Sequence, residues 1–373
     1  MPAAYRILIV GSGIGGLALG RALGQRGFTA EIIERAGSWP ASGAGLFIPG
    51  NGARALDVLG LADEVLNRAV RVTHQRVLDH TGRHLAEIEL TQLWNPIGPC
   101  LGIARRELHS ILLEGAGVPI RLGTTVTMLS QEASKVNVVF ADGSSSTYDL
   151  VVGADGIHSS IRRLVFGGPR PRHLGQVSWR FVVDSSDRVD AWTAMLDRQR
   201  AFLRVPIGQN RLYCYADLSA LATEDPSHRD LDRFRALFED FAEPVPSILR
   251  ELRGFDSIYF SPIEEILTDP WVHGRVALIG DAAHTTSPNM AEGASMALED
   301  ALVLTRMLVT HESPDDALSA FTERRRARLN WVRQGTHRRD RIRTLPVHLR
   351  NLALRFAGTA LYRRDYQPLF NEP

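Results

Sequence analysis

The sequence has little of three features that would direct it to other classes of protein. Its two cysteines, Cys100 and Cys214, stand too far apart for a Cys-x-x-Cys motif, a metal cluster or a disulfide framework. No run of about 18 apolar residues occurs, so we expect no transmembrane helix. Lysine is almost absent, because Lys135 is the only one among the 43 Lys and Arg residues. The missing Cys-x-x-Cys motif excludes a disulfide reductase, and no metal site is predicted.

The charges of the chain nearly cancel. The 43 Lys and Arg residues face 42 Asp and Glu residues, which leaves a net charge of +1. A chain this neutral has no general electrostatic attraction for nucleic acid or for a membrane. Its 44% hydrophobic and 23% charged residues are ordinary for a globular protein. With 373 residues we expect two domains or one interrupted domain, located in the cytoplasm, and the oligomeric state stays open.

The N-terminal region has the pattern of a dinucleotide site. A predicted strand over residues 6–10 runs into the glycine-rich turn Gly11-Ser12-Gly13-Ile14-Gly15-Gly16, which opens a predicted helix over residues 14–26. A second predicted strand, over residues 29–34, ends in Glu34. Glycines let backbone N–H groups approach a pyrophosphate at a helix N-terminus, and a terminal acid can hold ribose hydroxyls. The pattern predicts a dinucleotide ligand but leaves NAD and FAD as alternatives.

The middle of the chain changes character. Alternating segments with Trp and Tyr predict one antiparallel sheet from strands over residues 177–183, 191–196, 201–205 and 212–216. Shorter elements before them are predicted helices over 51–59 and 105–114 and strands over 124–128, 136–140 and 150–154. The α/β pattern resumes with a strand over 276–279, followed by a predicted helix over 292–310. A second helical region is predicted to start at Ser313-Pro314 and to run to about residue 364. We interpret the arginine runs at 324–328 and 338–343 as a solvated helix face, and the basic helix near 345–364 as either such a face or a partner or membrane contact.

Two further motifs follow predicted strands. They are Gly153-Ala154-Asp155-Gly156 and Gly280-Asp281-Ala282-Ala283-His284, the latter followed by Pro288 and by Gly293 at the start of a helix. With these three separated motifs in this order, the chain resembles the single-component FAD-dependent aromatic hydroxylases. These flavoprotein monooxygenases are typified by the para-hydroxybenzoate, salicylate and urate hydroxylases. The resemblance covers nearly the whole chain.

The resemblance implies an α/β fold with three parts. A Rossmann-like FAD-binding domain would comprise residues 1–173 and 271–373, the latter including a helical C-terminus. An antiparallel β-sheet substrate domain would be inserted over residues 174–270, joined by strands near 70–100. The two domains would meet at the flavin.

The resemblance also implies which residues hold a non-covalent FAD. Glu34 would bind the adenosine ribose, the backbone of Val126 the adenine, Arg105 the phosphate or ribitol, and Asp281 the ribitol. Asp155 belongs to a motif that serves both FAD and NAD(P)H in the family. Pro288 would lie beside the flavin ring, with the first N–H groups of the following helix at the pyrimidine edge. The full implied set is Gly11, Gly13, Ile14, Gly15, Gly16, Glu34, Arg35, Gly45, Phe47, Arg105, Val126, Asp155, Gly280, Asp281, Pro288, Gly293, Ala294 and Ser295.

The implied activity is hydroxylation of a small aromatic or heteroaromatic substrate with NAD(P)H and O2. In the family a flavin hydroperoxide transfers the oxygen, so the site must exclude water. Tyr213 matches a tyrosine that takes part in catalysis in urate-hydroxylating members, and Tyr215 shares its strand face. The arginine that accompanies it there falls on Ala201, which argues against urate. Aromatic residues that could wall the site, with core packing as the alternative for most, are Trp179, Phe181, Trp192, Phe202, Tyr213 and Tyr215.

Other interpretations stay open at this point. A flavin-dependent halogenase would need a tunnel lysine and a Trp-x-Trp-x-Ile-Pro motif, which Trp94-Asn95-Pro96-Ile97 does not match. A non-catalytic protein of the same fold, like the prenyl-GTPase escort proteins, would need partner-binding parts that nothing here resembles. For Asp155 and Asp281, the alternative to a ligand contact is helix capping. For His284 the alternative is packing in the protein, and for Arg180 it is a structural role in the sheet. The sequence does not distinguish NADH from NADPH.

Overall fold

The computed structural model describes residues 5–39, 44–168, 170–185, 189–220, 225–266 and 268–373. Its strands are β1 (Arg6–Val10), β2 (Thr29–Glu34), β3 (Gly45–Ile48), β4 (Val70–Arg71), β5 (His74–Asp79), β6 (His84–Glu89), β7 (Leu101–Ala104), β8 (Ile120–Leu122), β9 (Val126–Gln131), β10 (Val136–Phe140), β11 (Ser145–Tyr148), β12 (Leu150–Gly153), β13 (Arg172–Asp184), β14 (Ala191–Leu196), β15 (Arg200–Pro206), β16 (Arg211–Ser219), β17 (Tyr259–Glu265), β18 (Val272–His273) and β19 (Val276–Leu278).

The helices surround these strands and dominate the C-terminal third. They are α1 (Ile14–Gln25), α2 (Gly50–Val58), α3 (Ala62–Arg68), α4 (Leu90–Trp94), α5 (Arg105–Glu114), α6 (Ser160–Phe166), α7 (Leu231–Ala236), α8 (Val245–Glu251), α9 (Asp281–His284), α10 (Gly293–Thr310), α11 (Pro314–Thr344) and α12 (Val347–Tyr366). Short 3₁₀ turns occupy Pro226–Arg229, Phe255–Ser257, Pro288–Met290 and Gln367–Phe370. Among the described residues, no helix is both long and apolar enough to cross a membrane.

A six-stranded sheet forms the core of the first domain. Its order is β18-β19-β12-β1-β2-β8, and β1 pairs in parallel with both β12 and β2. Ile7, Leu8 and Ile9 of β1 are all fully buried, as expected of a central parallel strand covered on both faces. The helix α1 connects β1 to β2 and packs against α10. The predicted Rossmann-like architecture is therefore confirmed.

The second large sheet has seven strands in the order β17-β13-β16-β15-β14-β5-β6. Neighbours from β17 to β15 pair antiparallel, as do β14 with β15 and β5 with β6, whereas β5 joins β14 in parallel. Its strands β5 and β6 come from the segment before residue 100. On one face, Trp179 of β13 stacks on Phe234 of α7 at 4.9 Å between ring centroids. The opposite face of the sheet approaches β3 and β7.

Several predicted boundaries shift for local reasons. The first helix ends at Gln25 instead of residue 26, because Arg26 caps it and Gly27 adopts a φ of +76°. The strand expected from residue 124 begins at Val126, since the Thr124 N–H donates to the Glu34 carbonyl instead of a sheet partner. The C-terminal helical region is interrupted at Leu345 and Pro346, where proline cannot continue α11.

Candidate functional site

The glycine-rich turn between β1 and α1 is fixed by close packing at two positions and open at a third. Gly11 has a φ of +106°, and a Cβ placed on it would stand 2.5 Å from the Ala154 carbonyl oxygen. A Cβ on Gly16 would stand 1.9 Å from the Gly11 carbonyl oxygen. A Cβ on Gly13 would meet nothing within 4 Å. The turn thus requires glycine for its shape and leaves space above the N-terminus of α1, where an anion is favoured.

Glu34 closes this turn from the end of β2. Its carboxylate accepts hydrogen bonds from the Ser12 N–H at 3.0 Å, the Ser12 hydroxyl at 2.8 Å and the Ala36 N–H at 2.9 Å. Burial raises the pKa of Glu34, but these hydrogen bonds outweigh it and hold the pKa below its ordinary value. The carboxylate is therefore ionised beside the glycine turn. Arg35 is exposed next to it.

The chain that leads into β9 runs alongside the end of β2. The Thr124 N–H donates to the Glu34 carbonyl at 3.0 Å, and the Gly123 N–H donates to the Ala36 carbonyl at 3.0 Å. Val126, two residues further on, has its side chain in the core. Only the backbone of Val126 is therefore available to a ligand on this side of the turn.

Asp155 supports the N-terminus of α6 from outside the helix, while Ser159 is the N-cap residue. Its carboxylate accepts from the Ser160 N–H at 2.6 Å and the Ser160 hydroxyl at 2.7 Å, and it also bonds the Ser159 hydroxyl. These contacts hold the N-terminus of α6. The backbone of Asp155 nonetheless lies against Gly11, with its Cα 2.8 Å from where a Cβ of Gly11 would be. The second motif thus supports the glycine turn through its main chain.

Asp281 differs from Asp155 in having a free carboxylate. It lies at the first position of α9, is exposed, and makes no side-chain hydrogen bond to any described residue. The helix N-cap is Gly280, with a φ of +56°. Helix capping is therefore not what Asp281 does in this structure, and its carboxylate stays available to a ligand hydroxyl.

A buried ionic network holds the backbone at Gly280, just before Asp281, in place. Asp300 accepts from the Gly280 N–H at 2.8 Å, the His284 ring at 2.6 Å and the Arg325 guanidinium at 2.7 Å. Burial raises the pKa of Asp300, but the charges of His284 and Arg325 outweigh it and lower the pKa to about 2. Glu299 extends the network to Arg325 at 2.7 Å and Arg328 at 2.6 Å. The expectation of a solvated arginine face was wrong for Arg325, which is fully buried.

The loop from Pro288 to α10 is anchored by the C-terminal helices. The Tyr366 hydroxyl donates to the Met290 carbonyl at 2.7 Å, and Arg339 donates to the Asn289 carbonyl at 2.8 Å. Pro288 itself is exposed. The first turn of α10 then presents Gly293, where a Cβ would meet nothing within 4 Å. The N-terminal N–H groups of this helix, from Gly293, Ala294 and Ser295, thus begin at an open surface.

A buried carboxyl that the sequence did not single out lies at the same helix start. Glu292 is 3% exposed and accepts a hydrogen bond from the Asn51 amide at 3.0 Å. Burial is the main reason that its pKa rises to about 8, with the neighbouring Glu299 adding to the rise. Within the described residues, one Glu292 oxygen, the Asn51 oxygen and the Ser295 hydroxyl have no hydrogen-bond partner. Three unsatisfied polar groups therefore meet at this edge of the site.

The seven-stranded sheet contributes a polar aromatic face opposite this loop. Tyr213 and Tyr215 of β16 share a face with Arg180 of β13, because Arg180 pairs directly with Tyr215. The Arg180 guanidinium lies 5.7 Å from the ring centroid of Tyr215 and 5.8 Å from that of Tyr259. Arg180 makes no ion pair or hydrogen bond with the residues that the structure describes. The sequence favoured a structural sheet role for Arg180 together with its neighbour Trp179, which is a core residue.

Burial raises the pKa of Tyr213 to about 12, although the positive charges of Arg180 and Arg105 oppose the rise. The phenol therefore keeps its proton at neutral pH. Arg105 starts α5, and its exposed side chain makes no hydrogen bond to the described residues. Arg180 and Arg105, which have no carboxylate partner among the described residues, thus both lower the pKa of the Tyr213 hydroxyl. Such unpaired positive charges favour the binding of an anionic ligand.

The strand β3, which belongs to a separate three-stranded sheet of order β3-β7-β4, faces these groups. A Cβ on Gly45 would stand 2.3 Å from the Tyr213 Cβ, and the Phe47 ring lies 4.8 Å from the Trp192 ring between centroids. The remaining aromatic candidates lie on the other face of the seven-stranded sheet, where they pack against α7 and α8. They are core residues, which was the alternative to a role in the site: Trp179, Phe181 and Phe202.

Comparison with known proteins identifies relatives over the full length of the chain. A family model described as "FAD binding domain" matches residues 4–336. The 2-heptyl-3-hydroxy-4(1H)-quinolone synthase of Pseudomonas aeruginosa is 32% identical over 98% of this chain and 97% of its own. The aurachin C monooxygenase/isomerase of Stigmatella aurantiaca is 31% identical over 91% of this chain and 89% of its own. The structure of an HpxO variant of Klebsiella pneumoniae complexed with FAD superimposes with a TM-score of 0.89 at 25% identity, covering 99% of both chains.

Proposed function

The chain belongs to the FAD-dependent monooxygenases that share this FAD binding domain, and from that membership we propose that it hydroxylates a small aromatic or heteroaromatic compound with NAD(P)H and O2. The resemblance seen in the sequence is confirmed at the level of the family and the fold. The halogenase-like and non-catalytic alternatives have no comparable support among these relatives.

The residues of the site fit a non-covalent FAD. Open space at Gly13 and Gly293, each at a helix N-terminus, suits the pyrophosphate and the pyrimidine edge of the flavin. The ionised Glu34 and the free carboxylate of Asp281 suit ribose and ribitol hydroxyls. When bound, FAD supplies the electron transfer and the oxygen activation of the reaction. The chain contributes binding, orientation and exclusion of water.

The proposal for substrate rests on the placement of two arginines near Tyr213. Arg180 pairs with Tyr215 on the strand face that Tyr213 shares, and Arg105 directly follows Ala104, which pairs with the Gly45 that contacts Tyr213. An acidic ring hydroxyl or ring N–H would be held there as its anion, because a guanidinium without a carboxylate partner favours the ionised form. Ionisation makes the ring richer in electrons and easier to oxygenate. Tyr213, which stays protonated, would donate its hydroxyl hydrogen to the bound anion and orient it. We assign Tyr213 this positioning donor role instead of the role of a free base.

The names of two relatives suggest which ring to try. One is named as the synthase of a 3-hydroxy-4-quinolone and another as an aurachin C monooxygenase/isomerase, and from the first name 4-quinolones are our preferred compounds. Urate is disfavoured, because Ala201 stands where urate-hydroxylating members have arginine. Substrates that carry one ring hydroxyl or ring N–H next to a carbonyl fit the guanidinium groups of Arg180 and Arg105 best.

The test is a screen of 4-quinolones, hydroxypyridines and phenols for stimulated NAD(P)H oxidation by the FAD-loaded protein. Success requires a product heavier by one oxygen atom that derives from O2. Replacing Arg180 by Gln should raise the KM of the substrate by about tenfold or more with FAD content unchanged, since a charged hydrogen bond is lost. Arg172→Gln on the same strand, which breaks only an exposed pair with Glu265, is the control. The absence of any oxygenated product would contradict the proposal.

A further inference from the structure

The helix α12 shows an apolar surface on the side that faces away from the protein. Its inner side packs on β6, where a Cβ on Gly358 would stand 2.7 Å from the Ala86 Cβ. Helices on a globular protein normally turn polar residues outwards. Here the outward side carries an apolar stripe with spacings of three and four residues: Leu349 49% exposed, Leu352 53% and Phe356 84%.

The charges around the apolar stripe are of one sign. Arg355 and Arg363 are exposed and make no ion pair or hydrogen bond with any described residue. Exposed Arg341 lies in the last turn of α11, just before α12. The acid of α12 is Asp365, which is buried and bonded to Arg338 and Arg339. The outward side of the helix therefore combines apolar and cationic groups without a balancing carboxylate.

A groove of about 800 Å³ runs between α12 and the edge strand β6 beside this stripe. Phe356 and Arg363 line it from α12, and Glu87 lines it from β6. Glu87 is neutralised by Arg76 at 2.8 Å. The groove thus continues the cationic and apolar character of the helix surface and adds no free negative charge.

We propose that the outward side of α12 binds the surface of an anionic lipid bilayer, with the helix lying in the plane of the interface. Leu349, Leu352 and Phe356 would insert below the headgroups, and Arg355 and Arg363 would contact lipid phosphates. The charge pattern selects this occupant over a second copy of the chain, because two such cationic surfaces would repel each other. This surface function goes beyond the proposed hydroxylation and does not depend on it.

The experiment measures partition of the full-length, FAD-loaded protein onto vesicles of phosphatidylcholine with and without phosphatidylglycerol. We expect at least about tenfold tighter binding to the vesicles with phosphatidylglycerol, and weaker binding as salt rises. The double variant Leu352→Ser/Phe356→Ser should lose about tenfold or more in partition, as should Arg355→Gln/Arg363→Gln. Melting temperature, FAD content and NAD(P)H oxidation in solution should stay as in the wild type.

Matched control variants distinguish binding through this surface from non-specific adsorption to vesicles. Met128→Ser removes a different apolar side chain that is 65% exposed, and Arg26→Gln/Arg253→Gln removes two exposed charges elsewhere. Both should bind vesicles like the wild type. Equal binding to both kinds of vesicle, or none, would overturn the proposal. So would self-association that only the apolar variants abolish, because the stripe would then be an interface between copies.

Discussion

Gly45 of β3 lies directly against Tyr213 of β16, so close that a Cβ on Gly45 would stand 2.3 Å from the Tyr213 Cβ and 2.6 Å from its Cγ. The two residues belong to different sheets, Gly45 to a three-stranded sheet of order β3-β7-β4 and Tyr213 to the seven-stranded sheet. A missing side chain on one sheet therefore sets the position of the tyrosine on the other. Both residues were expected at the site from the sequence, but not their contact.

Replacing Gly45 by Ala should displace Tyr213 and loosen the contact between the sheets. Overpacking of this kind typically costs about 1–3 kcal/mol of unfolding free energy. We expect a lower melting temperature and less product formed per NAD(P)H consumed. Gly37→Ala is the matched control, because a Cβ there would meet nothing within 4 Å. Wild-type melting and coupling in Gly45→Ala would show that β3 can move away freely.

Replacing Tyr213 by Phe removes the hydroxyl but keeps the ring. FAD content and flavin reduction by NAD(P)H should persist, because the change touches neither the glycine turn nor Asp281. Product per NAD(P)H should fall and H2O2 should rise, since the substrate anion loses its orienting hydrogen bond. The control is Tyr5→Phe, which removes a hydroxyl bonded to the Glu312 carbonyl. Unchanged coupling would return Tyr213 to a structural role.

Local patterns predicted the parts of the fold and site that local contacts determine. The strand β1, the glycine turn and β2 carry hydrophobic runs, glycines and a terminal acid within one short segment, and the strand bounds match the prediction. The strand β14 also matches its predicted bounds. In each case the residues that form the element also contain its start and stop signals.

Long-range contacts account for what the sequence did not reveal. Glu292 meets Asn51 across 241 positions of the chain, and nothing near either residue signals the pairing. Arg325 looked like one of several solvated arginines, yet it bonds Asp300 and Glu299 in the core. Arg180 alternates with core residues along β13, so only the strand pairing reveals that it faces Tyr215. Side-chain surroundings of this kind depend on the tertiary fold.

Replacing Asp281 or Asp155 by Ala should have different effects on FAD binding and on stability. Asp281→Ala should lower the affinity for FAD, so that at the same FAD concentration its melting temperature lies below that of the wild type. Asp155→Ala should remove the hydrogen bonds that the carboxylate accepts from Ser160 at the start of α6 and lower stability by about 0.5–2 kcal/mol at every FAD concentration. The measurement is FAD retained on purification together with melting temperature against FAD concentration. An Asp281→Ala protein with full FAD content and the melting temperature of the wild type would show that this carboxylate does not bind the cofactor.

Glu292 should make the protein less stable as the pH rises. Its pKa in the folded protein is raised to about 8 from an ordinary 4.5, mainly by burial, so the folded state favours the protonated carboxyl. The stabilisation is fully present below the unfolded pKa and is lost as the pH rises through the folded pKa. Between these two values the unfolding free energy should therefore fall by up to about 1.4 kcal/mol per pH unit on account of this group.

Glu292→Gln keeps the hydrogen bond from the Asn51 amide and mimics the protonated carboxyl at every pH. Its advantage in unfolding free energy over the wild type should therefore be small near the ordinary pKa of glutamate and should widen steadily until the pH passes the folded pKa. Denaturant unfolding at a series of pH values, with FAD saturating throughout, measures this difference. Glu323→Gln, an exposed carboxyl on α11, should run parallel to the wild type. If Glu292→Gln also runs parallel, the buried carboxyl is ionised in the folded protein, and its unpaired oxygen must face a positive group when the cofactor is bound.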